Sequence, residues 1–337
     1  MHEPNATSLD LPGARDKSPS LSSRRRLARR LFGISPGETS FLRRGFRWDS
    51  EGVRERLEGV AARFVAGYHC ALEEVRLEGL AARLETIPAE VRGFAYEGAG
   101  MALALLDTLT PWRPGRLEEF LRGSGKAHCY IAHIGAGWIL ARLPVSPERL
   151  RARLDPVLGW LVLDGYGFHE GFFHWPRSIE KQEVPSKVRG YARKAFDQGL
   201  GRSLWFVEGA GPQRIHGRIS AFAPDRKGDL WSGAGLACAY AGGVEPALVE
   251  DMLRRSGENA PSLVQGAAFA AVSRERAGNP AAQTELACQI FWGCGAAEAA
   301  AMVVEDGEGL PPDGEEPAFE IWRRRIQGRF RARGLTS

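Results

Sequence analysis

The chain of 337 residues contains no uninterrupted apolar run of the roughly eighteen residues that a membrane-crossing helix needs. It has five cysteines (Cys70, Cys129, Cys238, Cys288 and Cys294), an odd and dispersed set without a CxxC pair. That excludes a disulfide framework and a structural zinc site, and fits a reducing compartment. Alternating β-branched residues are scarce throughout, so strands are not expected. No Walker A loop, no GxSxG elbow and no DDxxD-like acid cluster is present. A net basic excess is absent from the folded part: residues 1–45 hold nine Lys/Arg against four Asp/Glu, and the rest is close to neutral. A nucleic-acid partner, which wants clustered cations on a folded face, is therefore excluded. The first 45 residues read as a flexible basic tail. Its segment Ser22–Leu31, SSRRRLARRL, resembles a twin-arginine signal, but FGISPGETSFLRR interrupts the apolar stretch such a signal requires. The expectation is a cytoplasmic protein that meets membranes only through a partner.

What the chain has in abundance is a repeat. A polar residue, then Gly-x-Gly or Gly-x-Ala, then apolar residues recur as EGAGMALAL from Glu97, IGAGWILAR from Ile134 and DGYGFHEGF from Asp164. The series continues as QGLGRSLWF from Gln198, SGAGLACAY from Ser232, QGAAFAAVS from Gln265 and WGCGAAEAA from Trp292. The first glycines are 37, 30, 34, 34, 33 and 27 residues apart. Between them, GRLEEFL, SPERLRARL, PQRIHGRISAF, EPALVEDMLRR and NPAAQTELACQI follow Gly or Pro breakers with helical spacing. Each unit thus reads as helix, tight turn, helix. Gly243 and Gly278 read as C-caps ahead of helix starts. The fold expected is all-α, a tetratricopeptide-like solenoid of about seven tandem helix pairs. Leu200–Gly201 and Trp231–Gly235 echo the tetratricopeptide pattern, while most units carry Ala where that pattern wants Leu. The domain plan is a tail (1–45), capping helices (46–90), the array (91–304), and an acidic loop with a final helix (305–337).

The glycines let adjacent backbones approach, which offsets a helix-propensity cost of about 1 kcal/mol for each. Residues just before the first glycine and just after the second small residue then share one stripe of each helix. Glu97, Gln198 and Gln265 belong to the first row, and Met101, Trp138, Phe168, Arg202 and Phe269 to the second. Together with His133, Tyr166 and Trp205 they are the candidates for lining an apolar groove that suits a long apolar ligand or an extended peptide. The alternative for the same residues is packing between repeats.

DGYGFHEGFFHW, Asp164 to Trp175, is the densest chemical stretch. Asp164, His169 and Glu170 are candidate acid/base groups, because a carboxylate or imidazole in an apolar groove has a readily shifted pKa. His169 and His174 are five apart rather than four, so the zinc-protease spacing is absent and no metal is assigned. Asp197 and Arg202 are further candidates, Arg202 needing an anionic partner that Asp197 could supply. His128 and Cys129 read as core. The cofactor is left open.

The motifs LFGISPGETSFLRRGF, FAYEGAGMALALLD, WLVLDGYGFHEGFF, GYARKAFDQGLGRSLWFV, DLWSGAGLACAYAGG and PAFEIWRRRI resemble the bacterial domain-of-unknown-function family seventeen-zero-two from Leu31 to about Phe330. Members of that family accompany the iterative polyketide synthase of enediyne gene cassettes. The resemblance implies a part in turning a linear polyene into an enediyne core, alongside UnbV-type and membrane UnbU-type proteins. It carries over no catalytic residue. Two functions stay open: an enzyme or enzyme subunit assisting desaturation or cyclisation of a polyene, and a non-catalytic scaffold docking other pathway proteins.

Overall fold

A computed structural model describes residues 28–334 apart from residue 75. The chain is all-helical, with no strand among the described residues. The helices are α1 (Phe41–Arg44), α2 (Glu51–Glu73), α3 (Leu77–Glu85), α4 (Ala89–Leu109), α5 (Arg116–Arg122) and α6 (Cys129–Gly137). They continue with α7 (Ile139–Arg142), α8 (Pro147–Arg151), α9 (Leu161–Phe173), α10 (Ala192–Val207), α11 (Pro212–Ser220) and α12 (Pro224–Tyr240). The last are α13 (Pro246–Ser256), α14 (Ala260–Ala277), α15 (Ala282–Trp292), α16 (Ala296–Asp306) and α17 (Ala318–Ala332). No single described helix is long and apolar enough to cross a membrane.

The helices carrying the repeated glycines pack in chain order, α2 on α4, then α6, α9, α10, α12 and α14, each against the next. The first glycine of each motif faces back. A Cβ on Gly135, Gly165, Gly199, Gly233 or Gly266 would fall on the carbonyl oxygen of Glu97, Ile134, Asp164, Gln198 or Ser232, respectively. The second glycine faces forward in the same way: Gly137 meets the carbonyl of Val162, Gly167 that of Phe196, Gly201 that of Leu230 and Gly235 that of Leu263. In each case the hydrogen that replaces Cβ points at a carbonyl oxygen of the neighbouring helix, and only glycine permits that spacing. The seventh motif departs from this. Gly293 ends α15 with φ +64° and Gly295 precedes α16, so this pair makes a turn rather than a helix contact. Gly278 does cap α14 with φ +60°.

Shorter helices α11, α13 and α15 pack on one another beside this row. Between α9 and α10 no helix pair forms; a single π-helical turn, Pro176–Glu180, and a loop take its place. The row bends enough for α4 to touch later members. Phe94 packs edge-to-face on Tyr240 of α12, and Arg274 of α14 donates to the Glu90 carbonyl at 3.0 Å.

The segment expected as a tail divides. Residues 1–27, with most of the twin-arginine-like stretch, lie outside the described residues. Ile34 and Phe41 are buried, and the Phe41 N–H donates to Glu58 Oε1 at 2.7 Å, because the apolar residues of this segment cover the ends of α2 and α9. Helices α2 and α3 lie within residues 46–90, and α17 follows residues 305–317.

Candidate functional site

Beside the inner face of α4 lies an apolar slot. Its walls are Val60, Phe64 and Val65 of α2, Phe94 of α4, Ile131 of α6, Trp138, three phenylalanines of α9 (Phe168, Phe172, Phe173), Phe206, and Leu236 with Tyr240 of α12. Phe64 stacks on Trp138 with centroids 4.1 Å apart, and Phe168 meets Phe206 edge-on at 5.4 Å. The space amounts to about 670 Å³ counted out to the mouth, yet the centre of a water molecule reaches only about 50 Å³ of it. It is a narrow slot rather than a chamber. Two ionisable side chains enter it from the inside, Glu97 and Arg202, and Glu38 with Thr39 line another edge.

Arg202 is held by two acids. Its Nη1 donates to Asp164 Oδ1 at 2.7 Å and its Nη2 to Glu97 Oε1 at 3.3 Å, with the guanidinium 4.7 Å from the Phe168 ring centroid. All three groups are buried: Glu97 is 3% exposed, Asp164 0% and Arg202 5%. Burial pushes both carboxyl groups above the usual carboxylate range, against the pull of Arg202. One guanidinium balances one carboxylate. Asp164 accepts two short bonds, from Arg202 and from Gln198 Nε2 at 2.8 Å, whereas Glu97 accepts one long one. Hydrogen bonds to the charged form favour it, so of the two acids Asp164 is the better held as a carboxylate. The slot is therefore floored by a buried acid, pushed by burial toward its protonated form, beside a cation that a second acid holds.

Behind this trio the polar residues preceding the glycines form a buried ladder. The Ser232 hydroxyl lies between the amide oxygens of Gln198 and Gln265, at 3.2 and 3.0 Å, and its one hydrogen serves one of them. Gln265 Oε1 also accepts from Arg323 of α17 at 3.3 Å, and Arg323 goes on to Asp229 at 2.7 Å and Glu320 at 3.0 Å. Asp164, Gln198, Ser232 and Gln265 are all 0% exposed. This corrects the expectation that the row lines a groove: of its residues only Glu97 reaches the slot, since the helices close over the others.

The remaining candidates separate. Glu97, Trp138, Phe168 and Arg202 are brought together at the slot. Phe269 borders a smaller cleft of about 290 Å³ with Tyr130, Ile131, Ile134, Leu236 and Tyr240. Met101, His133, Tyr166 and Trp205 are buried and line neither space. His133 Nδ1 is 2.7 Å from the Cys129 carbonyl, Tyr166 meets Phe196 edge-on at 5.4 Å, and the Trp205 N–H donates to the Gly242 carbonyl at 3.0 Å. Asp197 is not the partner of Arg202. It takes a two-pronged bond from Arg226, at 2.8 and 2.5 Å, because it lies more than a turn before Arg202 and faces the start of α12. His128 is core, stacked on Tyr96 at 3.7 Å, and burial holds its pKa down to about 4.

The His169–His174 stretch behaves differently from its helical spacing. Helix α9 ends at Phe173, and His174 adopts φ −128°, ψ 32°. That turn returns His174 Nδ1 to 3.2 Å from Glu170 Oε2, while His169 Nδ1 lies 3.3 Å from Oε1. These three residues each offer a ligand atom within 4.8 Å of the others and could hold a cation. Burial pushes the His169 imidazole down to about 4, and Glu170, raised by burial, is brought below its ordinary value by the two histidines. Nearby Arg142 also disfavours positive charge on His169, and it would act against a bound cation in the same way.

Sequence reasoning missed Phe64, Phe94 and Tyr240 as walls of the slot. Phe64 carries no local motif, and it is the packing of Gly98 on its carbonyl that reveals it. A family model described as "Protein of unknown function (DUF1702)" matches residues 23–330. No curated protein and no solved structure matches the chain.

Proposed function

The chain belongs to the DUF1702 family, and we propose that it binds the hydrocarbon chain of a linear polyene polyketide in the aromatic slot and assists its cyclisation during formation of an enediyne-type core. The observation that carries this reading is the pairing of a narrow, ring-walled slot with a buried Glu97 at its floor, whose pKa burial raises. A flat conjugated chain has the thickness such a slot accepts, and ring faces also stabilise developing positive charge. Of the two reactions suggested by the resemblance, desaturation removes two electrons and needs an oxidant. Cyclisation needs only proton movement, which the pocket's own side chains can supply. Glu97 gives its proton to an activated double bond, a new C–H bond forms, and the resulting cation is attacked by a neighbouring double bond before a proton returns to the carboxylate. Arg202, fixed by Asp164, stabilises the Glu97 carboxylate in between. Asp164 therefore positions Arg202, and Glu97 is the acid.

The helix row is read in the same proposal as a tetratricopeptide-like array in which six glycine-bearing helices, α4, α6, α9, α10, α12 and α14, form the inner layer. The test uses purified protein and a linear conjugated polyene. Saturable binding with loss of the long-wavelength polyene absorption is expected, and Glu97→Gln should retain binding and lose conversion. Absence of binding, with pathway partners still captured, would replace this reading by the scaffold.

A further inference from the structure

The two ends of the slot differ in charge. At the floor Arg202 is shared by Asp164 and Glu97, and an anion brought there would meet two carboxyl groups against one guanidinium. At the other end Phe173, only partly buried, lines the slot and carries two cations on its ring. Arg44 Cζ is 4.4 Å from its centroid and Arg142 Cζ is 5.8 Å away. Arg44 shares the single carboxylate of Glu38 with Arg43. Arg142, at the C-terminus of α7, has no hydrogen-bonding or ion-pair partner among the described residues. The groups around it do not compensate it: Arg44 repels it, His169 is a neutral imidazole and Tyr68 is an un-ionised phenol. Glu170 is engaged by His169 and His174. Arg142 is exposed to solvent at this end, and its forked donors match carboxylate and phosphate.

We propose that the slot admits a single-chain anionic amphiphile tail first, the uncharged tail end resting near Glu97 and the carboxylate or phosphate held at the mouth by Arg142, with Arg44 beside it. This rests on the slot being a ligand pocket, and it adds the direction of entry and the head-group charge. An amphiphile entering head first would strand its anion on the floor acids.

The test uses the full chain and two fluorescent probes, the conjugated tetraene parinaric acid and its methyl ester, titrated at low ionic strength. The acid is expected to bind about tenfold more tightly than the ester. Arg142→Gln should remove that preference by weakening the acid while leaving the ester unchanged, and Arg142→Lys should keep part of it. Palmitate and hexadecyl phosphate, each used to displace the acid, tell which head is preferred; displacement by either supports the proposal. Equal binding of acid and ester by the unmodified chain, or a preference that survives Arg142→Gln, overturns it while leaving the pocket intact. If neither probe binds, the pocket reading itself fails. Unchanged thermal unfolding of Arg142→Gln shows that any loss is one of contact and not of fold.

Discussion

Gln198 donates to the side chain of Asp164 at 2.8 Å, and the next residue, Gly199, packs on the main-chain carbonyl of that same aspartate. One pair of adjacent residues thus sets both the approach of α10 to α9 and the orientation of the acid that anchors Arg202. The spacing of backbones and the chemistry of the slot's floor are one construction. A change that moves the helices apart therefore also loosens Arg202.

Gly199→Ala tests the spacing. A methyl there would overlap the Asp164 carbonyl oxygen, a backbone atom that cannot swing away. Overpacking of this kind costs about 1–3 kcal/mol, and forcing two backbones apart belongs at the upper end. Gly217→Ala is the control: it is an exposed helix position with nothing within 4 Å of a Cβ, and it should gain about 0.5–1 kcal/mol. Urea unfolding of both variants decides the matter. Equal effects would mean the glycines do not set the packing.

Arg202→Met removes the cation from two buried acids. Leaving buried charge uncompensated costs about 3–5 kcal/mol. Adding Asp164→Asn should recover part of this, since burial pushes the remaining acid, Glu97, toward its protonated form. A double-mutant cycle by denaturant unfolding measures the coupling. Simple addition of the two losses would show that Asp164 is not held by Arg202.

Helix content and the glycine register were legible in the sequence, because small residues at a fixed spacing have few uses other than close packing. The polar row at Glu97, Asp164, Gln198, Ser232 and Gln265 was legible as one feature too. Its destination was not. Periodicity says which residues share a face; it does not say whether that face meets solvent or a neighbouring helix once the row bends. Asp197 and Arg202 looked like partners for the same reason, being close in sequence, yet each found a partner on another helix: Arg226 for Asp197, and Asp164 and Glu97 for Arg202. Phe64 and Arg142 carry no local motif, so only tertiary contact reveals them.

Glu97 should leave a signature in the dependence of stability on pH. Its folded-state pKa is raised, chiefly by burial, above its ordinary value of 4.5. The folded chain therefore keeps a proton that the unfolded chain releases as pH climbs past that value. The contribution is complete below 4.5 and is lost as pH rises toward the folded value, at up to about 1.4 kcal/mol per pH unit. The stability difference between the unmodified chain and Glu97→Gln should accordingly shrink as pH goes from 5 to 8. Parallel curves would mean that Glu97 is ionised in the folded protein and cannot serve as the acid.

On the acid side two histidines act with the opposite sign. Burial lowers His128 and His169 to about 4 from an ordinary value of 6.5. The unfolded chain takes up these protons first, so their contribution is whole above 6.5 and is lost as pH falls toward 4. His128→Phe keeps the ring stacked on Tyr96 and abolishes one titration. Unfolding free energies measured between pH 7 and 4 should then fall less steeply for the variant, by up to about 1.4 kcal/mol per pH unit across that window. His169 continues to titrate in the variant, so some acid loss must persist. Curves of the same slope would place the His128 proton in both the folded and unfolded states, which a ring sealed between Tyr96 and the core does not allow.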